Sequence, residues 1–301
     1  MSVLAIIAAL VLEQWRPIGE LKPVQASLVA WGNWIEQSFN GGERRHGIVG
    51  WLVAVLPWAL AVGAAHYALA AVSPILALAF NVLILYLTLG FRQFSHYFTA
   101  LQVAVRDGDM ERARTLLDSW RGASGVTYTR EEVIRLAIEE ALIASHRHVF
   151  GVLLWYLLLP GPAGAVLYRL AAYFAWRWKN LGTFGQFSQR VFRLLEWPAV
   201  RLSAAAFAVV GDFEDAVYCW RMQARTWIDP EASIVLAAGA GAMGVRLGMP
   251  VQDIDGLNPR PELGVGDPAD APFLDSTVGL LWRAVVLWVV VIAMVTVARV
   301  L

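Results

Sequence analysis

The sequence predicts an all-α integral membrane protein, a polytopic helical bundle that includes short or re-entrant helices. Hydrophobic residues make up 58% of its 301 residues and charged residues only 16%, against about 25% in an ordinary soluble domain. It contains fourteen tryptophans, a residue that is enriched at membrane–water interfaces. No alternation of apolar and polar residues lasts long enough to predict a sheet.

The N-terminal third contains three apolar segments. Residues 2–12 are too few to cross a membrane alone, because a span needs about 20 residues, but residues 13–15 can extend them. Residues 48–72 form a full span, and residues 74–90 form the next one. The connection between these two spans is so short that we expect a tight antiparallel hairpin.

A polar segment follows at residues 92–147, with eight arginines and eight acidic residues. Its amphipathic helical pattern is broken near Gly108. Thr129, followed by Glu131 and Glu132, predicts a helix start, since a hydroxyl can cap the helix and acids favour its first turn. We expect a cytoplasmic helical segment here, within a single membrane domain of residues 1–301.

The apolar stretch at residues 149–176 is interrupted by two prolines and two glycines at residues 160–164. Such residues break a helix, so the stretch is either one kinked span or two half-helices in a re-entrant hairpin. The positive-inside rule places the basic segments 16–46 and 92–147 in the cytoplasm and the N-terminus outside. A hairpin also keeps the basic cluster at 177–201 inside, which favours that alternative.

The C-terminal third is also predicted to be largely helical. We expect a short helix at residues 202–210 and a second helix at residues 231–249, whose glycines permit close backbone packing. Four prolines make residues 258–272 an irregular loop. Residues 277–301 form a strong terminal transmembrane helix.

Several arginines are candidates for binding an anion. Arg135 and Glu139 lie four residues apart on one helix face and could bind a phosphate or carboxylate, although a solvated salt bridge would use the same spacing. Arg169 lies inside an apolar half-helix, where an arginine usually faces a cavity or a partner unless it reaches the interface. Arg147 stands between two histidines, as an interfacial anchor or an anion contact.

The sequence does not predict a metal site. His146 and His148 point to different helix faces, and neither cysteine nor acidic neighbours complete a ligand set. The single cysteine, Cys219, excludes an internal disulfide and a cysteine-based metal site. A net charge of zero gives no indication of nucleic-acid binding.

Five blocks of sequence carry a family resemblance, and the most specific is GAGAMGVRLG at residues 239–248. In this order and spacing they resemble the membrane-bound adenosylcobinamide-phosphate synthases of the CobD/CbiB family. The five blocks are residues 107–114, 135–139, 155–169, 184–202 and 239–248.

The resemblance implies an inner-membrane enzyme that forms an amide between adenosylcobyric acid and an aminopropanol phosphate, with ATP and Mg²⁺. Glu139 keeps the first acid of the central family signature and is the catalytic candidate. Arg201 and Arg246 occupy family positions, and together with Arg169 they could form a basic pocket for a phosphorylated or carboxylated ligand. Glu13 matches an acid of the family and is expected to pair with one of these arginines.

The sequence departs from the family where its other acidic and polar residues are expected. Those positions carry Ile143, Ala144, Arg147, His148 and Ala175. Loss of these carboxylates removes candidate acid–base groups and Mg²⁺ ligands. Residues 145–148, 173–178 and 196–198 are instead similar to the AmpE branch of the superfamily, whose member is described as an inner-membrane modulator.

The sequence therefore predicts a non-catalytic, AmpE-like modulator or sensor of a cell-envelope process, in effect a pseudoenzyme. It would lie in the bacterial inner membrane as a multi-pass protein with a periplasmic N-terminus, in contact with the lipid bilayer. It would bind a small anionic ligand or a membrane partner protein, with no nucleic acid and no cofactor. The alternative is the synthase itself, and transport is weaker because few polar residues lie at membrane depth.

Overall fold

The fold is predominantly helical, as predicted, and is taken from a computed structural model. The structure describes residues 2–15, 22–122, 128–227, 229–253 and 256–298. The helices are α1 (Ser2–Trp15), α2 (Lys22–Phe39), α3 (Arg44–Val72), α4 (Pro74–Thr88), α5 (Phe91–Arg106), α6 (Met110–Arg121), α7 (Arg130–Ser145), α8 (Gly151–Leu158), α9 (Ala163–Arg177), α10 (Gly182–Val210), α11 (Phe213–Met222), α12 (Pro230–Met243) and α13 (Ala271–Ala298). Short strands are β1 (Val245–Gly248), β2 (Val251–Asp253), β3 (Gly256–Asn258), β4 (Glu262–Leu263) and β5 (Asp267–Pro268).

The chain forms two compact units. The first comprises Met1–Gly90 and Gly151–Pro198, and the second comprises Phe91–Phe150 and Ala199–Leu301. In the first unit α1 packs against α4, while α3 packs against α2, α4 and α9. The contact between α3 and α4, joined by Ser73, confirms the predicted hairpin. However, α4 has 15 residues, about 22 Å of helix, so it is shorter than the full span expected at residues 74–90.

The interruption at residues 160–164 produces a helical hairpin. Helix α8 ends at Leu158 and α9 begins at Ala163, and Gly161 between them has a φ of 60°. A Cβ atom on Gly164 would collide with the backbone carbonyl of Trp155, and one on Gly151 would meet the ring of Tyr168. These two pairs are symmetric about the turn, so α8 and α9 run antiparallel and the alternative of one kinked span is excluded.

The second unit is built around α7, which packs against α5, α6, α12, α13 and β1. The predicted break near Gly108 separates α5 from α6. Helix α12 provides the close packing expected of its glycines: a Cβ on Gly239 would lie 2.8 Å from a methyl group of Leu142, and one on Gly241 would lie 2.5 Å from the carbonyl oxygen of Asp215.

Two helix predictions were wrong in this unit. The helix expected at residues 231–249 ends at Met243, because Gly244 adopts a left-handed conformation with a φ of 66° and the chain continues as β1. Strand β1 pairs antiparallel with β4 and parallel with β5, in the region predicted to be an irregular loop. The helix expected at residues 202–210 is the end of α10, which begins at Gly182 and contains Pro198.

The sequence predicted that the polar segment ends at residue 147 and that an apolar stretch follows. In the structure this boundary lies inside a continuous helix. A π-helical turn, His146–Phe150, joins α7 directly to α8. Among the described residues, three helical stretches are long and apolar enough to cross a membrane: Arg44–Val72, Arg130–Leu158 and Ala271–Ala298. The second was not expected as a span, and the third confirms the terminal helix.

The terminal helix α13 exposes a row of large apolar side chains. Val286, Val290 and Met294 are 57%, 48% and 67% exposed, whereas Ala284 and Leu280 on another face are buried. Helix α3 exposes Trp58 in the same way. Contiguous exposed surfaces of this kind need an apolar surrounding, which supports the predicted contact with a lipid bilayer.

Candidate functional site

The candidate site lies in the second unit, on helix α7. This helix starts at a capping box: the Thr129 hydroxyl accepts a hydrogen bond from the Glu132 backbone N–H at 3.3 Å, and the Glu132 carboxylate accepts one from the Thr129 N–H at 2.7 Å. The predicted helix start is thus confirmed. From this start, the helical repeat places Arg135 and Glu139 on one face of α7, one turn apart. Both residues are only 4% exposed.

The carboxylate of Glu139 is held by three hydrogen bonds from the C-terminal part of the unit. Arg260 donates from Nη1 to Oε2 at 2.7 Å and from Nη2 to Oε1 at 3.4 Å. The backbone N–H of Gly248 donates to Oε1 at 2.9 Å. Three donors on its two oxygens fix this buried carboxylate in position.

Arg260 is itself oriented by further contacts. Its Nε donates to the carbonyl of Met249 at 3.3 Å, and its Nη2 donates to the carbonyl of Gly248 at the same distance. The guanidinium lies 5.3 Å from the ring centroid of Trp227, whose indole N–H donates to the carbonyl of Pro261 at 3.2 Å. Arg260 therefore joins Glu139, the end of β1 and Trp227 into one network.

Gly248 shapes the backbone that reaches Glu139. Its φ is 75°, and Met249, which follows, has a φ of 63°, a conformation that side-chain-bearing residues adopt rarely. A Cβ atom on Gly248 would collide with the carbonyl oxygen of Pro261, to which the Met249 N–H donates at 3.2 Å. A glycine is thus required where the backbone turns and donates to the carboxylate.

Arg135 is buried beside this network without an anion of its own. Its Nη2 donates to the carbonyl of Pro250 at 3.4 Å, and its buried Nε has no hydrogen-bond partner. Within the described part of the chain it makes no ion pair with a carboxylate. Burial is the largest influence against its charge and Arg260 also opposes it, while Glu139, Glu132 and Glu131 favour it.

Comparison with known proteins identifies the family. The family model described as "CobD/Cbib protein" matches residues 2–281. The chain belongs to the CobD/CbiB family. It is 34% identical over 300 residues to the "Cobalamin biosynthesis protein CobD" of Stutzerimonas stutzeri, covering 96% of both chains.

Two further relatives carry the same name. That of Chromobacterium violaceum is 34% identical over 220 residues, 71% of this chain and 70% of the relative. That of Leptospira interrogans serovar Lai is 24% identical over 196 residues, 61% of each chain. No solved structure matches the chain.

The structure brings only some of the sequence candidates of this family member together. Arg135 and Glu139 share the network on α7. Arg246, on β1 two residues before Gly248, lies 3.5 Å from Glu262, and Arg147 lies 3.7 Å from Asp229. No contact of these two with Glu139 is among those described.

The other two arginines lie elsewhere. Arg201 is partly buried on α10. Arg169 lies on α9 in the first unit, where burial disfavours its charge and the charge of Glu13 favours it. The pairing of Glu13 with one of the candidate arginines stays a prediction.

The histidines and the aromatic block resembling AmpE have structural partners. His146 lies in the π-helical turn, and its Nδ1 is 2.9 Å from the hydroxyl of Ser203. Among the described residues, no group of three or more His, Cys, Asp or Glu could hold a metal ion. In the first unit, Arg177 and the indole N–H of Trp178 both donate to Glu36, at 2.5 and 2.8 Å.

Sequence reasoning missed Arg260, Trp227 and Glu262. Arg260 lies between Pro259 and Pro261 in a segment predicted to be irregular. The available signal was a charged residue fixed between two prolines, since proline restricts its neighbours and a rigid loop can hold a side chain in place.

Proposed function

We propose that this CobD/CbiB-family protein catalyses the amide-forming step of the family in cobalamin biosynthesis. The observation that carries this proposal is the 34% identity, over 96% of both chains, with a relative named "Cobalamin biosynthesis protein CobD". The similarity covers both segments that carry the network around Glu139, which are 121 residues apart. It therefore favours the enzyme over the non-catalytic modulator.

The proposed reaction joins adenosylcobyric acid to an aminopropanol phosphate. A phosphoryl group passes from ATP to the carboxylate oxygen, the amine nitrogen attacks the carboxyl carbon, and phosphate leaves with that oxygen. The amine loses one proton as the amide bond forms. All three substrates carry oxyanions, and guanidinium groups such as those of Arg135 and Arg260 bind oxyanions through two parallel N–H donors.

Mg²⁺ would accompany ATP in this reaction. Proteins usually hold Mg²⁺ through one or two carboxylates together with substrate phosphates, so a cage of three protein ligands is not required. Both oxygens of Glu139 already accept hydrogen bonds. Glu262, which faces Gly248 across the β1–β4 pair, has a side chain that is 47% exposed, so it would be the carboxylate that faces the metal.

Reconstitution tests the proposal directly. The protein, purified in detergent, is incubated with adenosylcobyric acid, aminopropanol phosphate, ATP and Mg²⁺, and the amide product is measured by mass spectrometry. The Stutzerimonas stutzeri relative serves as the parallel reaction. Product from the relative but none from this protein, under conditions where both remain folded, would contradict the enzyme and favour the modulator.

We also propose a multi-pass arrangement in the inner membrane with a periplasmic N-terminus. The support is the distribution of arginines, eight of which fall within residues 92–147. Reporter fusions test it: a periplasmic alkaline phosphatase joined before residue 2 should be active, and one inserted at residue 108 should be inactive. The reverse pattern would contradict this orientation.

A further inference from the structure

Arg135 is a buried cation with too few partners. Only 4% of it is exposed, its Nε has no hydrogen-bond partner, and its one described bond, to the carbonyl of Pro250, is long at 3.4 Å. A guanidinium carries five N–H donors and stays charged. Burial without a compensating anion is strongly unfavourable, so the position is stable only when something supplies negative charge.

Among the described residues no carboxylate forms an ion pair with Arg135, although the charges of Glu139, Glu132 and Glu131 act on it from a longer distance. Two guanidiniums, those of Arg135 and Arg260, lie around the single carboxylate of Glu139. Arg260 donates a hydrogen bond to one oxygen of this carboxylate at 2.7 Å, and the Gly248 N–H donates to the other oxygen at 2.9 Å. Both oxygens of Glu139 thus accept hydrogen bonds from other groups, and among the described contacts the donors without a good acceptor belong to Arg135.

We propose that Arg135 is the receptor for an oxyanion of the substrate, with the Nε edge of its guanidinium as the binding fork. Two parallel N–H donors match two oxygens of a carboxylate or a phosphate. Arg260 and Glu139 act as positioning residues that hold the loop carrying Pro250 over the site. The assignment deepens the proposed function, on which the choice of substrates rests.

Arg121 provides a matched control for the test. It lies in the same unit, and its side chain is also largely buried, at 20% exposed. In contrast to Arg135, it has a carboxylate partner, since its Nε lies 3.3 Å from Glu140, and it donates to the hydroxyl of Tyr128 at 3.2 Å. Each arginine is replaced by methionine in a separate variant. The two variants compare the loss of a cation that lacks an anionic partner with the loss of one that has such a partner.

The first measurement is thermal unfolding of the detergent-solubilised protein without substrates. We expect Arg135→Met to unfold at the same temperature as the parent protein or higher, because an uncompensated charge is removed. Arg121→Met should unfold at a lower temperature, because Glu140 loses its partner. If Arg135→Met is destabilised as much as Arg121→Met, then Arg135 has a structural role and the assignment is overturned.

The second measurement is ligand binding, followed as the shift of the unfolding temperature with adenosylcobyric acid, aminopropanol phosphate or ATP. The substrate whose oxyanion occupies the fork should bind about 30-fold or more weakly to Arg135→Met, with Arg135→Lys between the two and Arg121→Met like the parent. The three ligands distinguish a carboxylate from a phosphate occupant. Equal affinity of parent and Arg135→Met for every ligand that binds would contradict the proposal, whether or not product forms in the reconstituted reaction.

Discussion

Glu139 and Arg260 lie 121 positions apart in the sequence and 2.7 Å apart in the structure. Both side chains are shielded from solvent, at 5% and 15% exposed. A charge pair in such a place is weak support for stability by itself, but removal of one partner leaves the other as a buried, uncompensated charge. The pair therefore fixes how the segment around Gly248 lies on α7.

Glu139→Gln should be among the most damaging single substitutions in the second unit. It leaves Arg260 and Arg135 without any carboxylate, and we expect a loss of about 3–5 kcal/mol in the free energy of unfolding, together with loss of amide formation. Thermal and denaturant unfolding of the purified variant measure the first effect. The double variant Glu139→Gln/Arg260→Met should be more stable than Glu139→Gln alone, because Arg260 no longer stays buried without its carboxylate partner.

Glu262→Gln is the control for the stability measurement alone. Its partner Arg246 is 3.5 Å away and both side chains are more than a third exposed, so solvent screens the pair and its loss should cost less than about 1 kcal/mol. If Glu139→Gln cost no more than Glu262→Gln, the pair with Arg260 would not hold the site together.

Gly248→Ala should disturb the site through the backbone. The position has a φ of 75°, and the added Cβ would collide with the carbonyl oxygen of Pro261. We expect a loss of about 1–3 kcal/mol and a lower catalytic rate, since the N–H that binds Glu139 must move. Gly279→Ala in α13, where a Cβ meets no atom within 4 Å, should leave stability unchanged or raise it by about 0.5–1 kcal/mol. Similar effects of both variants would argue against the constraint at Gly248.

Gly164→Ala should open the α8–α9 hairpin. Its Cβ would collide with the carbonyl of Trp155, a contact between two backbones that cannot be relieved by a rotamer change. We expect a lower unfolding temperature and a smaller yield of folded protein. Gly63→Ala places its Cβ 3.5 Å from Ala163, an ordinary contact, and should behave like the parent. A normal unfolding temperature for Gly164→Ala would show that α8 and α9 do not approach so closely.

Cys219 should resist alkylation while the second unit is folded. Burial raises the pKa of its thiol to about 11, with a further contribution from the charge of Asp215, and the residue is fully buried. The reactive thiolate is therefore scarce at pH 7.5 and remains scarce at pH 9, below the raised pKa. Iodoacetamide labelling followed by mass spectrometry should detect the adduct only after denaturation. Labelling of the folded protein at the rate of a free cysteine would contradict this placement.

Local signals in the sequence predicted the start and the interruption of helices. Thr129 and Glu132 are three residues apart, and their capping box is a property of one helical turn. The break at Gly108 and the turn at residues 160–164 likewise depend on neighbours in sequence. The sharing of one face by Arg135 and Glu139 followed from helical periodicity alone.

Contacts between distant segments could not be predicted in this way. The partner of Glu139 is Arg260, and nothing in either local sequence specifies the other. The strands that carry Gly248 and Glu262 are two to four residues long, too short for alternation to be recognised. Gly244 ends α12 by adopting a positive φ. Because it follows a run of other small residues, the sequence does not show which glycine ends the helix. The π-helical turn at His146 also has no pattern of its own.

The distance in sequence between Glu139 and Arg260 also has a consequence for biogenesis. A ribosome that has completed α7 must add more than a hundred residues before the Arg260 guanidinium exists, so Glu139 lacks its partner until then. In a chain that stops before residue 260, Glu139 lacks the Arg260 guanidinium that binds it in the complete site. The site is thus complete only once the loop that carries Arg260 has been made.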